Sequence, residues 1–126
     1  MIECLFVGLG GFIGSVCRYL IGLIPVREEF FFPIKTFSIN IIGAFIIGLI
    51  SAFALKHPNS DPRLILLLKV GICGGFTTFS SFALESFDLI KGGHTFIAIS
   101  YVILSILTGI GAVLAGEYIV NMNRIL

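Results

Sequence analysis

The side chains able to handle a small ion sit in three short runs of an otherwise oily chain. Thr77, Thr78, Ser80 and Ser81 cluster in the stretch Gly71–Phe82, G-I-C-G-G-F-T-T-F-S-S-F. Asn40 is the only amide within the long apolar segments, with Thr36 and Gly43 placed so that the three share one helical face at i, i+4, i+7. Tyr101, Ser105 and Thr108 repeat that spacing. Hydroxyls and amides donate hydrogen bonds without carrying charge, so a narrow track of them can stand in for part of an ion's water. Phe79 and Phe82, at i, i+3, project from one face. An aromatic ring has a positive edge, so two inward-turned edges can hold an anion weakly, without a charge that would trap it.

Each group also has a plainer reading. Asn40 can make an interhelical hydrogen bond, worth about 0.6 kcal/mol on average. A hydroxyl stripe can be bonded back to its own helix. With 13 Phe in the chain, Phe79 and Phe82 can simply pack or face lipid. No constellation for covalent or acid–base chemistry stands out: there is no G-x-S-x-G, no His inside an apolar segment and no carboxylate pair at mid-segment. That pattern argues against an enzyme. Cys4, Cys17 and Cys73 lack any C-x-x-C and read as small apolar side chains, and His57 and His94 fall in loops, so no metal is assigned to either type.

The elements that must position these residues are membrane spans. The 126 residues are 57% hydrophobic and 12% charged, too apolar for a soluble domain of this size. A spanning helix needs about 20 apolar residues. Four such segments, at about 3–24, 36–55, 64–90 and 95–119, make one transmembrane domain, an all-α membrane protein. Barrel-type alternation is missing, a net charge of +1 argues against nucleic acid, and the N-terminus has no basic region or cleavage site, so no cleaved signal peptide is expected. Arg27, Glu28 and Glu29 mark water, and Phe30 to Phe32 suggest an interfacial aromatic segment.

Glycines permit close helix contact: Gly8, Gly11 and Gly14 recur every third residue of the first span, and Gly10 and Gly14 form a G-x-x-x-G. Arg18, in the same span, can snorkel to the interface or serve a buried polar site. In the third span Gly71, Gly74 and Gly75 precede the Thr/Ser cluster. This predicts a helix broken near the bilayer midplane, near 74–78, or alternatively a kinked, Gly-packed helix. A break at that depth is tolerated only where it is buried in protein or lines a polar cavity, and it frees carbonyl and N–H groups for ions.

Four spans put both termini on one side, with Lys56, Arg63, Lys69 and Arg124; the other side holds Arg18, Arg27, Lys35 and Lys91. With no Lys/Arg bias the positive-inside rule sets no orientation. The expectation is insertion both ways and an antiparallel, dual-topology homodimer. The two subunits' breaks would then meet at the midplane, where freed carbonyls suit a hard cation such as Na⁺. A proton-driven exporter of the small multidrug type, also four-helical, depends on an acidic residue deep in its first helix. Here Glu3, Glu85, Asp88 and Glu117 all lie near span ends. A non-transporting scaffold subunit is the third class, and would have no reason to gather Thr, Ser and Asn around a break.

Taken together the motifs resemble the Fluc (CrcB) family of small fluoride channels. The family's first-span G-x-x-G-x-x-x-R-Y is matched by Gly11, Gly14, Arg18 and Tyr19. Its second-span pattern is matched by Pro33, Thr36, Asn40 and Gly43, with Phe45 and Gly48 behind. Its third-span G-x-x-G-G-x-T-T-F-S-T-F is matched by Gly71, Gly74, Gly75, Thr77, Thr78, Phe79, Ser80 and Phe82. Lys35 replaces a usual Gly, at a place where it can alter the pore mouth, and Ser81 replaces a usual Thr. The resemblance covers the whole chain. It implies a multi-pass protein of the bacterial inner membrane, an antiparallel homodimer in the lipid bilayer with two fluoride pores, conferring fluoride resistance. Phe79 and Phe82 would line the path, Asn40 would donate to the ion or orient the rings, and Thr78, Ser80, Tyr101, Ser105 and Thr108 would supply the polar track. Arg18 would sit at the pore vestibule, and the carbonyls of Gly74 and Thr77 from both subunits would hold a structural Na⁺ at the dimer interface. Passive export is physically sufficient: a potential of 100 mV drives an anion outward by about 2.3 kcal/mol, roughly a fifty-fold gradient.

Overall fold

The computed structural model describes residues 1–27 and 31–122. Glu28, Glu29, Phe30 and Arg124, which enter the reading above, lie outside the described residues. Regular structure among the described residues is entirely helical. Helix α1 runs Ile2–Gly22 and α2 runs Ile34–Lys56. Helix α3, residues 62–76, begins as α-helix (Pro62–Ile65), continues as a π-helix (Leu66–Cys73) and closes as α-helix (Gly74–Phe76). Helix α4 is Phe79–Lys91 and α5 is Thr95–Met122. Four stretches are long and apolar enough to cross a membrane: α1, α2, Pro62–Lys91 and α5. The chain is therefore a multi-pass membrane protein.

The ends of these helices follow from local chemistry. Asp61 caps α3, its Oδ1 accepting from the Arg63 N–H at 2.9 Å, and Pro62 occupies the first turn, where a missing N–H costs nothing. Between α4 and α5, Gly93 adopts φ +83°, and the His94 N–H returns to the Leu89 carbonyl at 2.8 Å. That left-handed residue and its six-to-one bond close α4 as a Schellman-type cap. Lysines at both ends of α2 close two other helices. Lys35 Nζ donates to the Gly22 carbonyl at 2.9 Å, and Lys56 Nζ donates to the Val120 carbonyl. Each puts a cation on the negative end of a helix dipole. Lys35, the residue that stands where the family usually has Gly, is engaged with the C-terminus of α1.

Packing pairs α1 with α3 and α2 with α5. Glycine makes both pairs possible. A Cβ on Gly75 would lie 2.6 Å from the Gly11 carbonyl oxygen, and one on Gly116 would lie 2.9 Å from the Leu49 nitrogen. Backbones approach this closely because dispersion, not hydrophobic exclusion, holds helices together in lipid. A small core of Leu89, Ala98 and the fully buried Tyr101 closes α4 onto α5, with Phe32, Phe37, Phe82 and Ile97 around it.

An interruption was expected near 74–78, and within that range the glycines and the threonines behave differently. Gly71, Gly74 and Gly75 all lie within α3, and Gly71 and Gly75 are used to meet α1. Extended dihedrals fall instead on Thr77 (φ −76°, ψ 158°) and Thr78 (φ −148°, ψ 113°). β-Branched Thr tolerates extended backbone well, and its hydroxyl supplies local partners that Gly lacks.

This packing separates the glycines by role. Gly8 has nothing within 4 Å of an added Cβ, so Gly8→Ala should leave stability unchanged or raise it by up to about 1 kcal/mol. Gly75→Ala should lower it by about 1–3 kcal/mol by wedging α3 from α1. Thermal unfolding in detergent compares the two; equal midpoints would contradict the packing account.

Candidate functional site

The stripe Thr36, Asn40, Gly43 on α2 meets the third span at three successive levels. At the first, Thr36 Oγ1 donates to Glu85 Oε1 at 2.6 Å. At the second, Asn40 clasps the backbone of Thr78: its Oδ1 accepts from the Thr78 N–H at 2.8 Å, and its Nδ2 donates to the Thr78 carbonyl at 3.2 Å. At the third, the missing side chain of Gly43 leaves room for the Thr77 methyl group. One amide thus satisfies both polar groups of an extended, buried residue. In hydrocarbon, unmet polar groups of this kind would cost several kcal/mol.

The rest of the Thr/Ser cluster completes the local bonding. Thr78 Oγ1 caps α4 by accepting from the Ser81 N–H at 3.2 Å, and it lies 3.0 Å from Ser81 Oγ and 3.4 Å from Ser80 Oγ. Thr77 Oγ1 donates to the Cys73 carbonyl at 2.8 Å. These bonds redirect two donors. A continuous helix would give the Thr78 N–H to the Gly74 carbonyl and the Ser81 N–H to the Thr77 carbonyl. Asn40 and the Thr78 hydroxyl take those donors instead.

Beside this clasp lies a groove of about 450 Å³ between α2, α3, α4 and α5. Asn40, Thr77, Thr78, Phe79, Phe82 and Ser105 border it, and Gly74 does too. The Phe79 and Phe82 rings are 5.9 Å apart at 46°. Phe79 is 78% exposed on the single chain, whereas Phe82 is half-buried and tilts against the Tyr101 ring at 5.0 Å. Ser105 Oγ is closed off from solvent and has no hydrogen-bond partner among the described residues. It is a buried donor beside the groove with nothing to donate to.

Other candidate residues fall elsewhere. Thr108 is exposed and donates back to the Leu104 carbonyl at 2.5 Å, the plainer reading of a helical hydroxyl. Ser80 is exposed, and neither it nor the half-buried Arg18 borders the groove of the single chain. Tyr101 Oη donates to Glu85 Oε2 at 2.9 Å, and Tyr101 does not border the groove of the single chain.

Glu85 is the residue that sequence reasoning passed over. Its two oxygens receive the Thr36 and Tyr101 hydroxyls, tying α2, α4 and α5 together. Its position near the end of a span left it outside the candidate residues. The available signal was its i, i+3 spacing from Phe82, which puts it on the inward side of α4.

Comparisons with known proteins agree on one family. Residues 5–117 match the family described as CrcB-like protein, Camphor Resistance (CrcB). The chain is 47% identical over 124 residues to the fluoride-specific ion channel FluC of Bacteroides fragilis, covering 94% of this chain and 96% of that one. It is 42% identical over 118 residues to the protein of the same name from Azobacteroides pseudotrichonymphae, covering 92% and 94%. The Leptospira interrogans protein of that name is 37% identical over 127 residues, covering 94% of each.

Proposed function

The chain belongs to the CrcB family, and on that footing we propose that it is a fluoride-selective channel through which cytoplasmic fluoride leaves the cell passively. The observation that carries this reading is the unpartnered Ser105 hydroxyl beside a groove shared with Asn40, Phe79 and Phe82. Asn40 Nδ2 has two hydrogens and gives one to the Thr78 carbonyl, leaving the second for an ion. Ser105 and Asn40 then present uncharged donors, and the Phe79 and Phe82 ring edges present weak positive potential. Such a path suits an anion that must pass without being trapped. A channel rather than an enzyme is the reading that the family and its fluoride-channel relatives support.

The assembly proposed is an antiparallel, dual-topology homodimer in the inner membrane, with the two Thr77–Thr78 segments meeting near the midplane. The equal Lys/Arg count on the two sides supports it, as does the exposure of Phe79 and Gly74 on the single chain. The carbonyls of Gly74 and Thr77 fit a structural Na⁺, because both lose their helical N–H partners to Asn40 and to the Thr78 hydroxyl. Bound there, the ion would supply positive charge joining the carbonyls of two subunits. Arg18 is proposed for the vestibule, and Ser80, Tyr101 and Thr108 for the outer polar track.

The function is tested by loading liposomes containing the purified protein with fluoride or chloride and clamping the potential with K⁺ and valinomycin. The expected result is rapid fluoride efflux without chloride efflux, reduced at least about tenfold, or about 1.4 kcal/mol in barrier, by Phe82→Ile. Absence of fluoride efflux from folded protein would sink the reading. The assembly is tested separately: a C-terminal tag should be labelled from both faces of the membrane, and labelling from one face only would exclude dual topology.

A further inference from the structure

We propose that Lys69 is the anion-collecting charge of the groove, a role that rests on the channel reading above. Lys69 borders the same groove as Asn40, Phe79, Phe82 and Ser105, and among the described residues it is the one charged side chain there. Its side chain is exposed, and no carboxylate among the described residues pairs with it. The other lysines near helix ends are engaged differently: Lys35 and Lys56 give their ammonium groups to the carbonyls of Gly22 and Val120, and Lys91 lies over the Phe87 ring at 5.5 Å. Arg18 does not border the groove.

The π-helix explains how a residue this early in the span reaches the groove. Within Leu66–Cys73 hydrogen bonds run i to i+5, so the wider turn sets Lys69 in line with Gly74 rather than rotating it away. Cys73 and Gly74 border the groove beside it. From Lys69 to Thr78 the chain passes through π-helical, α-helical and extended backbone, a path of roughly 15 Å. At that separation the ammonium cannot ligate an ion held at Asn40. It raises the local concentration of anions over apolar walls, where field lines concentrate and water screens weakly. It favours anions over cations and does not distinguish fluoride from chloride, so selectivity stays with the uncharged donors further in.

The experiment uses the full-length protein in liposomes, with wild type measured alongside every variant. Lys69→Gln should lower fluoride flux about three- to tenfold at 10 mM salt, where charges act over about 30 Å, and by less than about twofold at 1 M salt, where they act over about 3 Å. A second variant guards against a folding defect. In a Cys4→Ser, Cys17→Ser background, with Cys73 buried, Lys69→Cys is reconstituted and then modified. An aminoethyl methanethiosulfonate should restore low-salt flux by returning an ammonium, and a sulfonatoethyl reagent should depress it further. Equal flux for Lys69→Gln and wild type at both salt strengths, or equal effects of the two reagents, would overturn the assignment. A wild-type protein that moves no fluoride would overturn the channel reading itself, and the role of Lys69 with it.

Discussion

One amide holds the centre of this molecule. Asn40 accepts from the Thr78 N–H and donates to the Thr78 carbonyl, so an extended residue can stay buried among apolar helices. Without that clasp the two backbone groups would need water that hydrocarbon does not supply, or the chain would return to continuous helix. The clasp has a second consequence. By taking the Thr78 N–H it strips the Gly74 carbonyl of its helical donor, while the Thr78 hydroxyl does the same to the Thr77 carbonyl through Ser81. One interaction thus leaves oxygens free on one side and keeps uncharged donors on the other.

Everything around the clasp fixes where α2 stands against the third span. Thr36 and Tyr101 converge on Glu85 from α2 and α5, one level from Asn40. Gly43 admits the Thr77 methyl on the other side. Gly48 and Gly116 let α2 and α5 touch at the backbone, and the lysines at the two ends of α2 hold the C-termini of α1 and α5. Helix α2 is therefore positioned along its whole length, which suits a residue that must meet a particular N–H and carbonyl.

Much of this was legible in the residue order. Four apolar segments of spanning length, the glycine faces and the i, i+4, i+7 stripe of Thr36, Asn40 and Gly43 follow from composition and helical period. Three features did not. Within the expected range 74–78 the residue order did not say which positions leave the helix: Gly74 and Gly75 stay helical despite their low propensity, Gly75 packing closely against Gly11, and the extended dihedrals fall on Thr77 and Thr78. The π-helix has no period-based signature, because its apolar residues read the same at either winding. Glu85 was noted only as lying near a span end, because its two hydroxyl partners approach it through tertiary packing. In the hydroxyl stripe of α5, spacing alone could not separate Ser105, which is left unpartnered, from Thr108, which bonds its own helix.

Asn40 secures the extended backbone at Thr78, and the exchange rate of the Thr78 amide is where that bond can be read. Exchange would be followed residue by residue in lipid nanodiscs for wild type, Asn40→Asp and Asn40→Leu. The Thr78 amide should be protected in wild type, should stay protected in Asn40→Asp when its carboxyl is protonated and so accepts through one oxygen and donates through the other, and should exchange about tenfold faster in Asn40→Leu, the loss of about 1.4 kcal/mol. Amides in the middle of α5 should be unaffected. A Thr78 amide equally protected in Asn40→Leu would mean that another group, or a continuous helix, satisfies it, and would contradict the account.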